Sequence, residues 1–479
     1  MPIIIEQKPR YQNLPVGQEV IFAVAENTIV AEQAKVKFIA EVHIAQFNPP
    51  NVSNTENLVG TFKVTPNNVG RGIFDFSQII ENFVRPDNLG SSLGDGSTYK
   101  GVTSKLYQHP IHLIDKYSQN DNSLRWLKIQ FGIEYLGADN TKPNDVARAE
   151  GVSENSANFT LFNGYLKFTD ILDYSGASNQ NFGYDWQTRF LLDGASKEFL
   201  TNAPTTQYAS LNDYGTMAFF SPEIVGNSQV DRIDFYFHDA DGLGLGSIEV
   251  DKTLANGAWD LTGNLGSTSG VRMLYFGAFP ANLYNWMPWF QNLVDTGQIQ
   301  GGYYEIRAEN PASGVVSKTY TIQLTCPDLK LYKPIRLCWL NQWGVWDYFT
   351  FNKKSVRTIS TEGSTYTQLA GTWNAETYKV HGYKGGKKSF RVNATERIKI
   401  NTDYISEDFN TMLEEMINSP EVYMLDSFQT DITNSVLNNY VTPVRLVTSS
   451  FTEKTVANDK LIQYTFEIEK SKTLRTQAI

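Results

Sequence analysis

The clearest nucleophile pattern in this 479-residue chain is Gly90-Ser91-Ser92-Leu93-Gly94, which has Gly-x-Ser-x-Gly spacing. A nucleophile elbow needs a strand before the serine and a helix after it, because that sharp turn exposes the hydroxyl. Here the flanks are Asp87-Asn88 and Asp95-Gly96-Ser97, a loop composition, so no nucleophile is expected. Asp239-Ala240-Asp241-Gly242 opens like a calcium loop. An EF-hand needs a further oxygen ligand before its glycine and a Glu six residues after it. Ile248 stands there, and the nearest acid is Glu249. Asp239 and Asp241 are weak metal candidates, and an Asp-Gly hairpin turn is the simpler reading.

Of the five histidines, His43, His109, His112, His238 and His381, only His109 and His112 are close, and no Cys or carboxylate spacing completes a zinc set. Lys384-Gly385-Gly386-Lys387-Lys388 lacks the first Gly of a phosphate loop and has Lys388 where Ser or Thr is required. It reads as a tight turn between strands with solvated lysines. Cys326 and Cys338 fall on neighbouring predicted strands and read as buried thiols. Glycoside hydrolysis requires two carboxylates facing one groove, and the sequence picks out no such pair. The expectation is a non-enzymatic protein with no catalytic residues and no cofactor.

Aromatic residues are the remaining candidates. Trp286, Trp289 and the group Trp339, Trp343 and Trp346 have the chemistry to stack on sugars in an adhesin. Packing in a core or against a subunit is the commoner use of Trp. Trp339, Trp343, Trp346, Tyr348, Phe349, Tyr464 and Phe466 are therefore read as packing or interface residues.

The elements that carry these residues are mostly strands. Val36, Phe38, Ala40, Val42 and Ile44 alternate with Lys35, Lys37, Glu41 and His43, the period of a half-buried strand. Asp75 reads as the N-cap of a short helix that places Phe76, Ile79, Ile80, Phe83 and Val84 on one face and stops at Pro86. The polar stretch from Gly137 to Ser156 reads as a linker or long exposed loop. Ile233, Phe235 and Phe237 alternate along another strand, and Tyr303–Arg307 and Thr319–Leu324 flank a turn signal as a hairpin. Asn341 to Gly344 reads as a turn inside the aromatic run Ile335 to Phe351. Residues 405–418 make an amphipathic helix, with Ser406 as N-cap and Pro420 as the stop. Ile462, Tyr464, Phe466 and Ile468 form one face of a last strand.

Many strands and few helices predict a mainly β, multidomain chain of sandwich- or barrel-like domains. The expected division is 1–150 with one short helix, 151–330, and 331–479 with the amphipathic helix. Charged residues are 19% and aromatics 13%, a balance suited to burying surface against neighbours. The net charge of −10 argues against a polyanion-binding role for the whole chain. It is uneven: from Lys330 onward there are 19 basic and 16 acidic residues, leaving 22 basic and 35 acidic before it. Opposite signs on two parts would help copies dock head to tail. The start Met1-Pro2-Ile3-Ile4-Ile5-Glu6 is unlike a signal peptide, no run of about 18 apolar residues occurs, and two cysteines are too few for a secreted disulfide framework. A chain made in a reducing cytosol is expected.

Several segments together resemble virion structural proteins of tailed phages that infect Bacteroidota, including crAss-like phages. At the N-terminus these are Pro15-Val16-Gly17, the strand Lys35–Ile44, and Gly70-Arg71-Gly72-Ile73-Phe74-Asp75-Phe76-Ser77. The central segment runs from Ile335 to Phe351 and includes Trp339-Leu340-Asn341, Gly344 and Trp346-Asp347-Tyr348-Phe349. At the C-terminus they are Ser419-Pro420-Glu421-Val422-Tyr423, Pro443-Val444 and Lys460-Leu461-Ile462-Gln463-Tyr464. The resemblance covers the two ends well and residues 150–330 poorly. It implies a non-enzymatic component of a tail, neck or baseplate, located in the virion. Its partners would be copies of itself in a cyclic ring and other tail or neck proteins. A host receptor or glycan is the partner in the alternative, adhesin reading. Sequence-specific nucleic-acid binding and a membrane span are not expected.

Overall fold

The structure is a computed structural model. It describes residues 2–9, 13–45, 49–85, 98–99, 102–103, 117–119, 124–165, 181–182, 189–221, 230–251, 272–310, 314–325, 332–373, 376–425, 441–454, 462–472 and 474–475. The protein is mainly β, with several sheets in a sandwich-like arrangement and few short helices. It divides into two compact units. One comprises Met1–Cys326 with Leu340–Asp347, and the other Pro327–Trp339 with Tyr348–Ile479.

The first unit begins with a sandwich. A four-stranded sheet (Asn181–Phe182, Ile4–Pro9, Ile21–Ala25, Arg71–Asp75, in that spatial order) faces a sheet ordered Asn13–Gly17, Phe159–Tyr165, Leu124–Leu136, Lys37–Ala45 and Leu58–Val64. Phe22 and Phe74 of the first sheet meet Phe131 of the second at ring-centroid distances of 5.7 and 5.8 Å. Each fully buried aromatic ring contributes about 1.5–3 kcal/mol through the area it removes from water. Because Phe159–Tyr165 belongs to this second sheet, the sandwich runs past residue 150, where a domain boundary was expected.

Three local expectations are corrected here. The stretch from Gly137 to Ser156 is not a loop. Its second half, Val146–Asn155, is a strand paired with Leu124–Leu136. It reads as polar because it sits at an edge and is mostly exposed, so no apolar alternation marks it. The short helix forms, but Asp75 is the last residue of a strand and Phe76 holds the N-cap position. The Asp75 carboxylate accepts from the Ser77 N–H at 3.0 Å, and only Ser77–Ile80 is α-helical, followed by a 3-10 turn at Glu81–Phe83. His43 is not on a solvated face. It is buried, because Lys37–Ala45 is central in its sheet and covered on both faces. Burial lowers its imidazole pKa, with Glu41 opposing.

Residues 206–324 supply a second sheet pair in this unit. Thr206–Ala209, Tyr320–Leu324, Tyr303–Asn310, Arg232–His238 and Gly244–Asp251 lie in that order. The predicted hairpin forms, with Tyr303–Asn310 antiparallel to Tyr320–Leu324. Phe276 of a three-stranded sheet (Thr216–Ser221, Arg272–Gly277, Tyr117–Gln119) meets Phe235 at 6.2 Å. Two short helices, Pro280–Trp286 and Pro288–Asp295, each start on a proline whose missing N–H costs nothing there.

The second unit is built on a seven-stranded sheet ordered Trp346–Phe351, Ile335–Leu340, Val422–Leu425, Val441–Leu446, Thr465–Lys470, Gly386–Asn401 and Val356–Gln368. The amphipathic helix forms as Asn410–Asn418, after a 3-10 turn at Glu407–Phe409, and buries Met412, Leu413 and Met416. Tyr464 and Phe466 lie inside this unit, 6.1 Å apart and stacked, and the Tyr464 hydroxyl donates to Asn410 at 2.7 Å.

Candidate functional site

The aromatic run Ile335 to Phe351 folds as the predicted hairpin. Asn341 N–H donates to the Val345 carbonyl at 2.8 Å, and Gly344 N–H to the Asn341 carbonyl at 3.0 Å. Gly344 has φ +75°, and a Cβ there would overlap the Asn163 carbonyl oxygen, so only glycine fits. The Asn341 side chain organises the turn. Its carbonyl oxygen accepts from the Trp343 and Val345 N–H groups, and its amide donates to the Leu200 carbonyl and to Asp347. Asp347 is buried and also accepts from the Thr201 hydroxyl at 2.5 Å. Burial pushes its carboxyl up to about 6, against the hydrogen bonds from Thr201, Asn341 and the Asn202 backbone.

Trp339, Trp343, Trp346 and Tyr348 are all buried, as are Tyr464 and Phe466, while Phe349 is half-buried against Phe351 and Phe409. Trp343 packs 4.4 Å from Phe190. These residues form cores of the chain itself. Trp289 is half-buried edge-on to Phe237 at 5.3 Å. Burial therefore leaves Trp339, Trp343 and Trp346 no surface on which a sugar could stack, while Trp289 is half-buried and the Trp286 side chain lies outside the described residues.

The Asp239–Gly242 segment is the hairpin turn between Arg232–His238 and Gly244–Asp251. The Asp239 Oδ1 accepts from both the Asp241 and Leu243 N–H groups at 3.0 and 2.8 Å, the bonding of an Asp-Gly turn. Among the described residues no group of three His, Cys, Asp or Glu side chains could hold a metal ion. Cys338 is buried as a free thiol, and burial raises its pKa. Cys326, His109, His112 and the segment Gly90–Gly94 lie outside the described residues.

What the sequence reading missed is a two-stranded ribbon. Val356–Gln368 pairs with Gly386–Asn401 in antiparallel register from Val356↔Lys399 to Gln368↔Gly386, with a bulge after Ser364. The neighbouring strand Thr465–Lys470 reaches only Arg397–Asn401. The ten residues from Val356 to Thr365 are all exposed. A strand normally buries one face, and an isolated hairpin is marginal in water. Thr, Tyr, Val and Ile supply the strand propensity here, and Gly385 and Gly386, with φ +93° and +78°, make the entry to the second strand. Of the lysine segment 384–388, read as a turn, Lys384 closes a turn by donating its N–H to the His381 carbonyl at 3.0 Å, while Gly386–Lys388 already belong to the second strand.

Of the twenty exposed large apolar side chains among the described residues, nine lie between Val356 and Val392, so exposed apolar surface concentrates on this ribbon. Trp373 is 63% and Tyr383 72% exposed, and Trp373 leans on Tyr378 at 5.0 Å. The ribbon is also basic. Residues 356–401 hold eight Lys or Arg and three Asp or Glu, a net of +5, which leaves −15 for the rest of the chain. Its root is fixed by ion pairs. Buried Glu396 binds Arg357 at 2.8 Å and Lys470 at 3.0 Å, and Glu469 bridges Arg397 and Arg445 at 2.9 and 3.1 Å. Burial opposes ionisation of Glu396, but Arg357 and Lys470 outweigh it and lower its pKa.

The opposite charge collects on the hairpin Arg232–His238 and Gly244–Asp251. Residues 231–251 hold six acids and one base, a net of −5. Arg232 serves three carboxylates, Asp234 at 3.2 Å, Glu249 at 3.4 Å and Glu309 at 2.6 Å. Burial and the nearby Glu309 push the Asp234 carboxyl up despite Arg232.

No protein family matches the chain, and no curated protein does. Among solved structures it is similar to the native conformation of E. coli alpha-2-macroglobulin, seen by cryo-electron microscopy, at 9% identity and a TM-score of 0.18. That match takes in 100% of this chain and 31% of the other, so the chain spans about a third of that protein's length. A likeness this slight carries no argument about fold or function. Among the described residues no helix is long and apolar enough to cross a membrane.

Proposed function

We propose that the chain is a non-enzymatic structural subunit of a tailed-phage virion, forming a ring or sleeve in the tail, neck or baseplate through contacts between copies of itself. The observation that carries the reading is the ribbon 356–401, a long hairpin with exposed apolar side chains and net positive charge on an otherwise acidic chain. Such a ribbon is marginal in water and gains stability only when something covers it. Repeated copies supply that cover in a closed assembly. The sequence resemblance to virion proteins points the same way. Mass spectrometry of purified particles of the encoding phage tests it, with the chain expected in mature virions at a fixed multiple per particle. Its absence from them overturns the reading.

A second reading, a receptor- or glycan-binding adhesin of the tail, is favoured by one observation. Trp373 and Tyr378 stand exposed 5.0 Å apart in the segment that joins the two ribbon strands, which also carries the exposed Tyr383. Glycan-array binding that disappears in Trp373→Ala would support it, and an array with no binding removes it.

A further inference from the structure

Val356–Gln368 is the last strand of the seven-stranded sheet and pairs on one side only, with Gly386–Asn401. Among the described residues no backbone bond reaches its outer edge. An open edge presents a row of unpaired N–H and C=O groups, which is a template for another strand. Proteins usually blunt such an edge with lysine, proline or a bulge. This strand has neither lysine nor proline. The ribbon's bulge, at Phe390, sits on the inner strand, so the outer one runs unbroken for 13 residues. Its only charges are Arg357 and Glu362. Arg357 is tied to Glu396 at the root, where the other ion pairs use Arg397 and Lys470 and leave out Glu362 and the exposed Arg391.

We infer that this edge pairs with the same edge of a second copy, antiparallel about a two-fold axis at Gly363, so that the two sheets become one. This rests on the reading that copies of the chain cover the ribbon, and it names their contact. A strand with one cation and one anion has no net charge with which to select an acidic or a basic partner, whereas it complements itself. Residues opposite one another in an antiparallel pair point to the same face, so a two-fold register is centred on a residue. Centring on Glu362 would pair all 13 residues but set two carboxylates face to face, which is destabilising. Centring on Gly363 keeps residues 358–368 paired, with Thr361 opposite Thr365 and Glu362 opposite Ser364 of the other copy. Ser364 is short and lies beside Arg391, so each Glu362 reaches across it toward the other copy's Arg391, and the symmetry makes that contact twice. Centring on Thr361 is as long but sets Glu362 beside Ser360 and Thr395, with no cation. The lysines of the two ribbon tips do not oppose the pairing. Gln368 of one copy falls opposite Thr358 of the other, so the two Gln368 residues stand roughly 34 Å apart at about 3.4 Å per residue, beyond the screening length of about 8–10 Å.

Sedimentation equilibrium and hydrogen exchange of the full chain over a concentration series test the pairing. The wild type is expected to self-associate, and residues 358–368 to gain protection as it does. Glu362→Arg and Arg391→Glu, each checked for an unchanged circular-dichroism spectrum, are expected to weaken association by about tenfold, and the two together to recover it. Association without protection of 358–368, a reversed chain that associates as tightly as wild type, or no recovery in the double variant overturns this contact and leaves copies joined elsewhere. A chain that is monomeric at every concentration overturns it as well. Protection of 358–368 in a monomeric chain by added single-stranded DNA overturns it in favour of a polyanion partner, and protection by a polyglutamate peptide does so in favour of an acidic strand. The structural reading stands or falls separately, on the presence of the chain in mature virions.

Discussion

The seven-stranded sheet begins and ends with a hairpin, and the two have opposite fates. At one end, Ile335–Leu340 and Trp346–Phe351 are buried along almost every residue. At the other, Val356–Thr365 and, apart from half-buried Lys388, Gly386–Val392 stand in solvent on both faces. They are consecutive in sequence but differ in composition, with six aromatic residues in the 17 from Ile335 to Phe351 and five in the 46 from Val356 to Asn401. The difference lies in what satisfies them. The first has its turn bonded by Asn341 and its rings packed by its own chain, whereas the second has a charged root and a free end. One hairpin is finished within the chain, and the other is available to a neighbour.

The strongest way to break the comparison is to unpack the buried hairpin. Trp339 is 0% exposed, and Trp339→Ala removes a large ring from a site that cannot fully collapse. It should lose about 3–5 kcal/mol, read as a lower denaturant midpoint. An unchanged midpoint would mean that this hairpin is not an essential part of the core. Asn341→Ala should cost about 1–3 kcal/mol, because it leaves buried groups at Asp347, Trp343 and Val345 without their side-chain partner.

Asp347 sharpens the same point through pH. Its folded pKa, about 6, is above the ordinary carboxylate value of 3.8, chiefly because it is buried. The folded state therefore holds the proton more tightly between those values. Its contribution to stability is fully present below about pH 4 and is lost as pH rises through about 6. Unfolding of wild type and Asp347→Asn, compared at pH 4.5 and pH 7, should show the wild type losing on the order of 2–3 kcal/mol more on the way up. Equal pH slopes would show that the carboxyl is not held in the buried, bonded state. The ribbon's root has the opposite sign. Burial opposes Glu396 ionisation, but Arg357 and Lys470 win and lower its pKa, so its contribution is lost as pH falls.

The legibility of the two hairpins in sequence follows the same division. The buried one announces itself through Trp339, Trp343, Trp346 and Tyr348 around Asn341-Gln342-Trp343-Gly344, because burial demands apolar residues and the turn demands Gly. The final strand is legible for the same reason, with Ile462, Tyr464, Phe466 and Ile468 all inward. The ribbon leaves no period-two signal, since neither face is buried. Its trace is Thr358, Thr361, Thr365, Tyr366 and Thr367, a propensity without a pattern. Only the turn at Lys384 was readable. The strand Val146–Asn155 escaped in the same way at an edge. His43 escaped for the reverse reason, a polar residue carried into a strand covered on both faces.

The smallest expected effect on stability is also the most discriminating between the hairpins. Phe390 is exposed and touches Tyr366 edge-on at 6.4 Å, a cross-strand pair worth only a few tenths of a kcal/mol on an exposed ribbon. Phe390→Ala should therefore move the unfolding midpoint of the isolated chain by no more than about 0.5 kcal/mol. If copies pair along the outer edge of Val356–Gln368, the same substitution removes the ring that backs Tyr366 beside that contact, and the dissociation constant should rise several-fold while the fold is untouched. A large loss of stability in the monomer would mean that the ribbon packs on its own chain and is not free. No change in either measurement would leave the exposed ring without a partner and end its likeness to the buried rings at the other side of the sheet.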